Sequence, residues 1–485
     1  MTGTQADTPT EFPLLSLLSN KAKERNILRF WDDVPKVQNP ASDIIPLVGG
    51  LPNHGFFPVT HVEVNLRSTP FEAADASKIV KINDVAASKA SDALDIKNAF
   101  QYADQNGHAN LREHIKQFVK RVVKPVRDDW AVACTLGGSD GIKKCFDIFL
   151  DAGDTILFEE FTFIPVLNDL YDRGAIPVPV KLNKIISDHS FEYYEELKDL
   201  LENWSTLKPG LPKPKVLYTI PNGHNPLGLA QTLDHKKKIY ELAETHNFII
   251  MEDEPYAYLN FDKHDNPNTK YDLTNDEFID SLKPSYLTLD TSGRVVRIET
   301  FSKIYAPGLR LGFMVFNQNF YKYFSDSAEL ISRSPSGLSQ LFVNNTIVEL
   351  GGIEGWIHWI TQVRNEYLRR KNIYVKSLLQ TEAADKGYLS PIEPDCGMFV
   401  SIVINAEKHK DFNGENYNEI MDRFYIKCVE NGVVVVLGRN MSVDKKFSVA
   451  RSTFIRTAVS FLDDRETFKE VSVRLNKAAL ALFES

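Results

Sequence analysis

The sequence predicts an α/β protein: a large unit built on a mostly parallel sheet, and a smaller α+β unit after it. Three observations carry that expectation. Between 101 and 317, short β-branched or aromatic runs alternate with helical patterns, and strands joined through helices pair in parallel beneath helices on both faces. The stretch 356–379 then sets Trp356, Trp359, Ile360, Val363, Tyr367, Tyr374 and Leu378 at the spacing of one helical face. Finally, a chain of 485 residues exceeds one ordinary hydrophobic core, so two or three folding units are expected.

In chain order, Gly49, Gly50, Pro52, Asn53, Gly55 and Pro58 punctuate a mixed opening sequence, which up to about Pro70 reads as an arm rather than a domain. Strands are expected at 131–136, 155–159, 216–221, 248–252, 295–300 and 312–316, with a helix over 142–150 behind the first. After the long helix, runs at 398–404, 433–437 and 454–459 read as strands, and an Ala/Leu-rich helix follows Asp464. The expected division is 1–100 for the arm and part of the small domain, 101–330 for the large domain, and 331–485 for the C-terminal small domain.

Composition narrows the function classes. With 43% hydrophobic and 25% charged residues, 25 Gly and 24 Pro, the chain is globular rather than collagen-like or low-complexity. Its 56 Lys and Arg against 65 Asp and Glu leave a net charge of -9. Neither nucleic acid nor an anionic membrane is therefore an expected partner, and any anion site must be local. Cys134, Cys145, Cys396 and Cys428 form no CxxC pair and sit in or beside apolar runs; they read as reduced, buried thiols, and no metal site is expected. The stretch 1–20 holds one short apolar patch, broken by Pro13 and Ser16, with no basic run before it, and 482–485 carry no lipidation or peroxisomal motif. A cytoplasmic location is expected.

Ligands of such sheets bind beyond the C-terminal ends of the strands. Four of these ends carry chemistry. Gly137, Gly138, Ser139, Asp140 and Gly141 lie between a strand and a helix, where free amides and the helix dipole favour phosphate. The same residues spell GxSxG, the nucleophile elbow of serine hydrolases, so a hydrolase using Ser139 stands as a rival, although His358 and His409 are badly placed to serve it. After 216–221, a turn stiffened by Pro221, Gly223, Pro226 and Gly228 can hold the Asn225 amide toward a phenolate-type oxygen. After 248–252, the acidic run Glu252, Asp253, Glu254 demands a cationic partner. Asp253 could hold a proton on a heterocyclic nitrogen, with the Tyr256 hydroxyl reaching that ring's oxygen. After 295–300 comes Lys303, where desolvation lowers an amine's pKa and suits a Schiff-base nucleophile. Thr300, Ser302 and Arg310 offer two hydroxyls and a guanidinium to a phosphate dianion. Taken singly, these ends read first as a plain turn, a solvated acidic turn or a solvated lysine. Together they match what pyridoxal 5'-phosphate needs.

On these residues the chain resembles the fold-type I pyridoxal-phosphate aminotransferases, and closely the fungal aromatic amino-acid aminotransferases of the aromatic aminotransferase II type, relatives of kynurenine and 2-aminoadipate aminotransferases. The matching stretches are VGGLPN (48–53), FQYADQNGHANLREHI (100–115), LYTIPNGHNPLG (217–228), FIIMEDEPYAYL (248–259), RIETFSKIYAPGLRLGF (297–313) and IRTAVSF (455–461). The resemblance implies a seven-stranded-type large sheet in the cofactor-binding domain, a homodimer, and transfer of the amino group of Phe, Tyr or Trp to a 2-oxo acid such as 2-oxoglutarate by a ping-pong cycle. It implies Lys303 as the Schiff-base lysine, Asp253 at the pyridinium nitrogen, and Asn225 and Tyr256 at the phenolic oxygen. Gly138, Ser139, Thr300, Ser302 and Arg310 would hold the phosphate, with Tyr102 reaching it from the neighbouring subunit. Phe163 takes the place of the ring-stacking aromatic. Arg456 would clamp the substrate carboxylate beside Gly50. Within the class, a 2-aminoadipate or kynurenine aminotransferase is the alternative. Three positions depart from the family pattern: Leu227 stands for a threonine, Phe163 for the commoner tyrosine, and His224 for a neutral amide.

Overall fold

The computed structural model describes residues 12–28, 38, 42, 52–73, 75, 77–83 and 92–484. An antiparallel pair, β1 (His61–Asn65) and β2 (Ile79–Asn83), precedes the large sheet. That sheet contains β3 (Trp130–Thr135), β4 (Thr155–Glu159), β5 (Ile176–Val180), β6 (Val216–Thr219), β7 (Ile249–Asp253), β8 (Val295–Thr300) and β9 (Gly312–Asn317). Its order is β3-β9-β8-β7-β6-β4-β5. The pairs from β8 through β5 are parallel, and β9 runs antiparallel to both neighbours.

Each of the six strands expected in this region forms, and β5 is the addition. Its sequence, IPVPV, holds Pro177 and Pro179, which donate no ladder hydrogen bonds. Such a strand is tolerated at an edge, and β5 is the edge. The helix expected over 142–150 begins earlier, spanning Gly138–Phe149. The glycine run read as a turn is therefore the first helical turn, which brings its amides closer to the strand ends.

Two apolar layers sandwich the sheet. On one face the helix Gly138–Phe149 sets Ile142, Cys145 and Phe146 against Phe158, Tyr218, Met251 and Ile298. Leu14, Leu17 and Leu18 of the N-terminal segment pack into the same layer, and Ser19 N donates to Ile148 O at 2.8 Å. On the other face, Leu111 and Ile115 from the helix Ala109–Phe118 and Ile239 and Ala243 from the helix Leu233–His246 cover Leu157, Leu217 and Ile250. All four cysteines are buried thiols.

The expected long helix spans Ile353–Leu379. Beyond it lie β10 (Leu389–Ile392), β11 (Phe399–Ile404), β12 (Val436–Leu437) and β13 (Phe454–Ala458), then the helix Thr467–Phe483. They form an antiparallel sheet in the order β10-β11-β13-β12 with its own core around Val400, Ile402, Phe424, Ile455 and Leu475. The run 433–437 contributes only Val436–Leu437, and β10, interrupted by Pro391, joins at the edge. No helix among the described residues is long and apolar enough to cross a membrane.

Candidate active site at the strand ends

Ten of the residues singled out from sequence converge on one cavity of about 230 Å³. Its wall takes Gly138 and Ser139 from a helix N-terminus, Phe163 from the segment after β4, and Asn225 from the turn after β6. Asp253 and Tyr256 come from the end of β7, Thr300 from the end of β8, and Ser302, Lys303 and Arg310 from the connection between β8 and β9. Ile142, Ile220, Pro255 and Pro307 supply apolar surface between them.

Asp253 closes β7, whose apolar run Ile249–Met251 is buried throughout. Alternation along the strand turns Met251 and Asp253 to the cavity face and Glu252 and Glu254 to the other. Burial pushes the Asp253 carboxyl up to about 6, against the Tyr218 hydrogen bond and the Lys303 charge, which both lower it. The Tyr218 hydroxyl donates to Asp253 Oδ2 at 2.6 Å. A carboxylate so placed favours a cationic ligand. Lys303 is half-buried, and its pKa is lowered by desolvation first, then by the Arg310 charge, with Asp253 opposing. Such an amine is a better nucleophile than a solvated one.

The anion end is equally built. Gly137 precedes the helix at φ 103, and a Cβ there would lie 2.8 Å from Arg310 Nη2. Only glycine lets the guanidinium sit against this turn. Thr300 Oγ1 and Ser302 Oγ are 2.8 Å apart, and Arg310 holds a left-handed backbone at φ 49, with Nη1 donating to Pro307 O at 3.1 Å. Asp140, in the first helical turn, is spent within the chain: it accepts from Leu136 N at 2.9 Å and Lys144 Nζ at 2.5 Å. The helix N-terminus is left to attract an external anion.

Arg456, on β13, reaches the cavity's edge from the second sheet. Its Nη1 donates to Asn225 Oδ1 at 2.8 Å, and its guanidinium lies 4.4 Å from the Phe399 ring centroid. Phe399 in turn meets Tyr256 edge-on at 5.6 Å. Burial raises the Tyr256 phenol above its usual range, so it stays a donor.

Other sequence readings fare differently. Tyr102 lies outside this cavity and is 77% exposed. Gly50 falls outside the described residues. Ser139 sits inside a regular helical turn rather than on an elbow, and no histidine lines the cavity among the described residues, so the hydrolase reading has no base. His224 is buried at 0% exposure with Nε2 3.0 Å from Phe161 O, and burial drives its pKa down to about 3. It is a neutral packing group. Leu227 is a core residue. Sequence reasoning missed Tyr218 and Phe399; Tyr218 is brought beside β7 only by the strand register, which pairs it with Met251.

Behind the cavity, the far face of the same strand ends carries a closed ionic cluster. Arg297, 2% exposed, donates from Nε to Glu299 at 2.6 Å and lies 3.4 Å from Glu252 and 3.6 Å from Glu254. Glu252 also accepts from Ser285 Oγ at 2.5 Å and Tyr286 N at 2.8 Å. Glu254 accepts from Asn222 at 2.5 Å, and Lys236 Nζ donates to the same asparagine at 3.0 Å. Glu252 and Glu254 thus meet the Arg297 cation within the chain, whereas Asp253 has the Tyr218 hydroxyl and the cavity.

The model of the family "Aminotransferase class I and II" matches residues 73–469. The chain belongs to that family. It is 36% identical over 498 residues to Aromatic amino acid aminotransferase 2 of Saccharomyces cerevisiae, covering 96% of this chain and 95% of that one. Among solved structures it is similar to the aromatic aminotransferase Aro9 from C. albicans, with 40% identity, a TM-score of 0.90, and 97% and 98% of the two chains covered. The aminotransferase Aro8 from Candida albicans is similar at 26% identity and a TM-score of 0.83, over 97% and 99%.

Proposed function

We propose that the protein is an aromatic amino-acid transaminase that uses pyridoxal 5'-phosphate to pass the amino group of Phe, Tyr or Trp to a 2-oxo acid such as 2-oxoglutarate. One observation carries the cofactor assignment: a buried carboxylate and a desolvated amine, Asp253 and Lys303, share one cavity with an anion cradle. The residues fit the group. The helix N-terminus and the carboxylate face the same space, a Cβ at Gly138 lying at an ordinary contact distance of 4.0 Å from Asp253 Oδ1. The aromatic substrate class rests on the relatives named above.

When bound, the cofactor supplies an electron sink that lets an amino acid lose its α-proton. The chain's own residues do the rest. Lys303 Nζ is the amine that would hold the cofactor through its aldehyde, and as a free amine beside the substrate it would carry the proton from the α-carbon. Asp253 would hold a proton on the cofactor's ring nitrogen. Asn225 and Tyr256 would donate to its ring oxygen, and Phe163 would pack on its ring. Gly138, Ser139, Thr300, Ser302 and Arg310 anchor the phosphate through charge-assisted hydrogen bonds, each contributing about 1.5–3 kcal/mol. Arg456 would receive the substrate carboxylate in a two-pronged grip. Because every α-amino and 2-oxo acid carries that carboxylate, the same arginine serves both halves of the cycle.

The proposal extends to a homodimer in which Tyr102 reaches the neighbouring phosphate site, to a cytoplasmic location, and to a division into 1–100, 101–330 and 331–485. The exposed Tyr102 ring and the buried thiols support the first two. The test is a visible spectrum of the purified protein before and after phenylalanine. The expected result is loss of the resting band in the wild type and no turnover in Lys303→Ala. Faster turnover of 2-aminoadipate than of phenylalanine would shift the substrate assignment.

A further inference from the structure

We propose that Arg451 is a positioning residue for substrate binding: its ion pair with Glu160 locks β13, and with it Arg456, against the cofactor cavity. This rests on the function proposed above.

The contact joins the two sheets. Glu160 follows β4 directly and is fully buried. Its carboxylate accepts from Arg451 Nε at 2.8 and 2.9 Å and from Leu182 N at 2.8 Å, and Arg451 Nη2 stands 2.6 Å away. Arg451 keeps 20% of its side chain in solvent and also donates to Phe447 O at 2.7 Å. A carboxylate at that depth is strongly unfavourable without its cation, so the pair fixes where the loop before β13 lies.

Neighbouring contacts carry the constraint to the site. The segment after β4 pairs with residues 441–443: Thr162 N donates to Met441 O at 2.8 Å, and Val443 N to Glu160 O at 3.0 Å. Phe161 meets Phe454 edge-on at 5.0 Å. Phe454 opens β13, and Arg456, two residues on, shares its face. In the segment after β4, Phe163 stands two residues beyond Phe161 and lines the cavity. One short segment therefore carries the ion pair, the ring contact and the cavity wall in succession, and the stretch it touches carries Arg451, Phe454 and Arg456 in the same order. The substrate arginine is referenced to the cofactor cavity through this seam.

The test compares wild type, Arg451→Met and the double variant Glu160→Gln/Arg451→Met, all saturated with cofactor. Steady-state constants are measured for phenylalanine and 2-oxoglutarate, together with thermal unfolding and the cofactor's absorption. Binding of 3-phenylpropionate to cofactor-free protein gives a readout independent of turnover. The expected result is a KM raised at least about tenfold for both substrates, with a smaller fall in kcat, an unchanged cofactor band, and 3-phenylpropionate affinity reduced to match. The double variant, which leaves no unpaired buried carboxylate, regains thermal stability and keeps the raised KM. Wild-type KM values in the double variant would overturn the inference, because the pair would then serve stability alone; so would a fall in kcat at unchanged KM. Wild-type protein without transaminase activity would instead sink the function proposed above, and this inference with it.

Discussion

The two faces of β7 differ by one residue step and by everything that follows from it. On one side Glu252 and Glu254 meet Arg297, and Glu254 shares Asn222 with Lys236, in a cluster closed within the chain. On the other, Asp253 has Tyr218 and then an open cavity. Three adjacent acids thus take two roles, decided by whether the countercharge is built in or left for a ligand. A closed cluster fixes geometry; an open one recruits. The distinction lies in the neighbours, because all three side chains are carboxylic.

The comparison can be broken from either side. The largest effect belongs to the open face: Lys303→Ala removes nucleophile and proton carrier together, and a loss of activity of at least about 10⁴-fold is expected in steady-state assays, with the protein still folded. On the closed face, Arg297→Met strips three carboxylates of their guanidinium. A stability loss of about 3–5 kcal/mol is expected in denaturant titration, because buried charge is left unpaired; unchanged stability would mean the cluster is ornamental. Next, Asp253→Asn removes the charged hydrogen bond proposed at the ring nitrogen, and kcat/KM should fall about a hundredfold with the protein still folded.

The smallest effect is a pH dependence. The Asp253 carboxyl stands near 6 in the fold against 3.8 for its reference. Between those values the native state holds the proton that the unfolded chain has released. Cofactor-free protein therefore loses stability as pH rises through that window, by up to about 1.4 kcal/mol per pH unit. Subtracting the Asp253→Asn melting curve from the wild-type curve isolates this contribution, and a flat difference would refute it.

The pattern of legibility follows the same line. The strands of the large sheet were readable because buried parallel strands are continuous apolar runs, and Asp253 and Lys303 because each stands where such a run ends. The edge strand β5 was hidden by Pro177 and Pro179, which local rules forbid and an edge position permits. The start of the helix at Gly138 was hidden by the glycines that the anion cradle requires. Tyr218 and Phe399 were illegible for another reason: one acts across a strand register and the other across two sheets, so neither leaves a local trace. Arg297 lay within a quoted motif, yet its role appears only when β7 and β8 are set side by side.

The reversed direction of β9 has a consequence for the durability of the site. Parallel neighbours in this sheet are separated by whole crossovers, but the chain leaves β8 and re-enters β9 at the same end, so Lys303 and Arg310 sit on a single tight loop. The amine and the guanidinium are consequently one mechanical part. An insertion there spoils both at once, whereas recombination breakpoints elsewhere in the large sheet would carry the pair across intact.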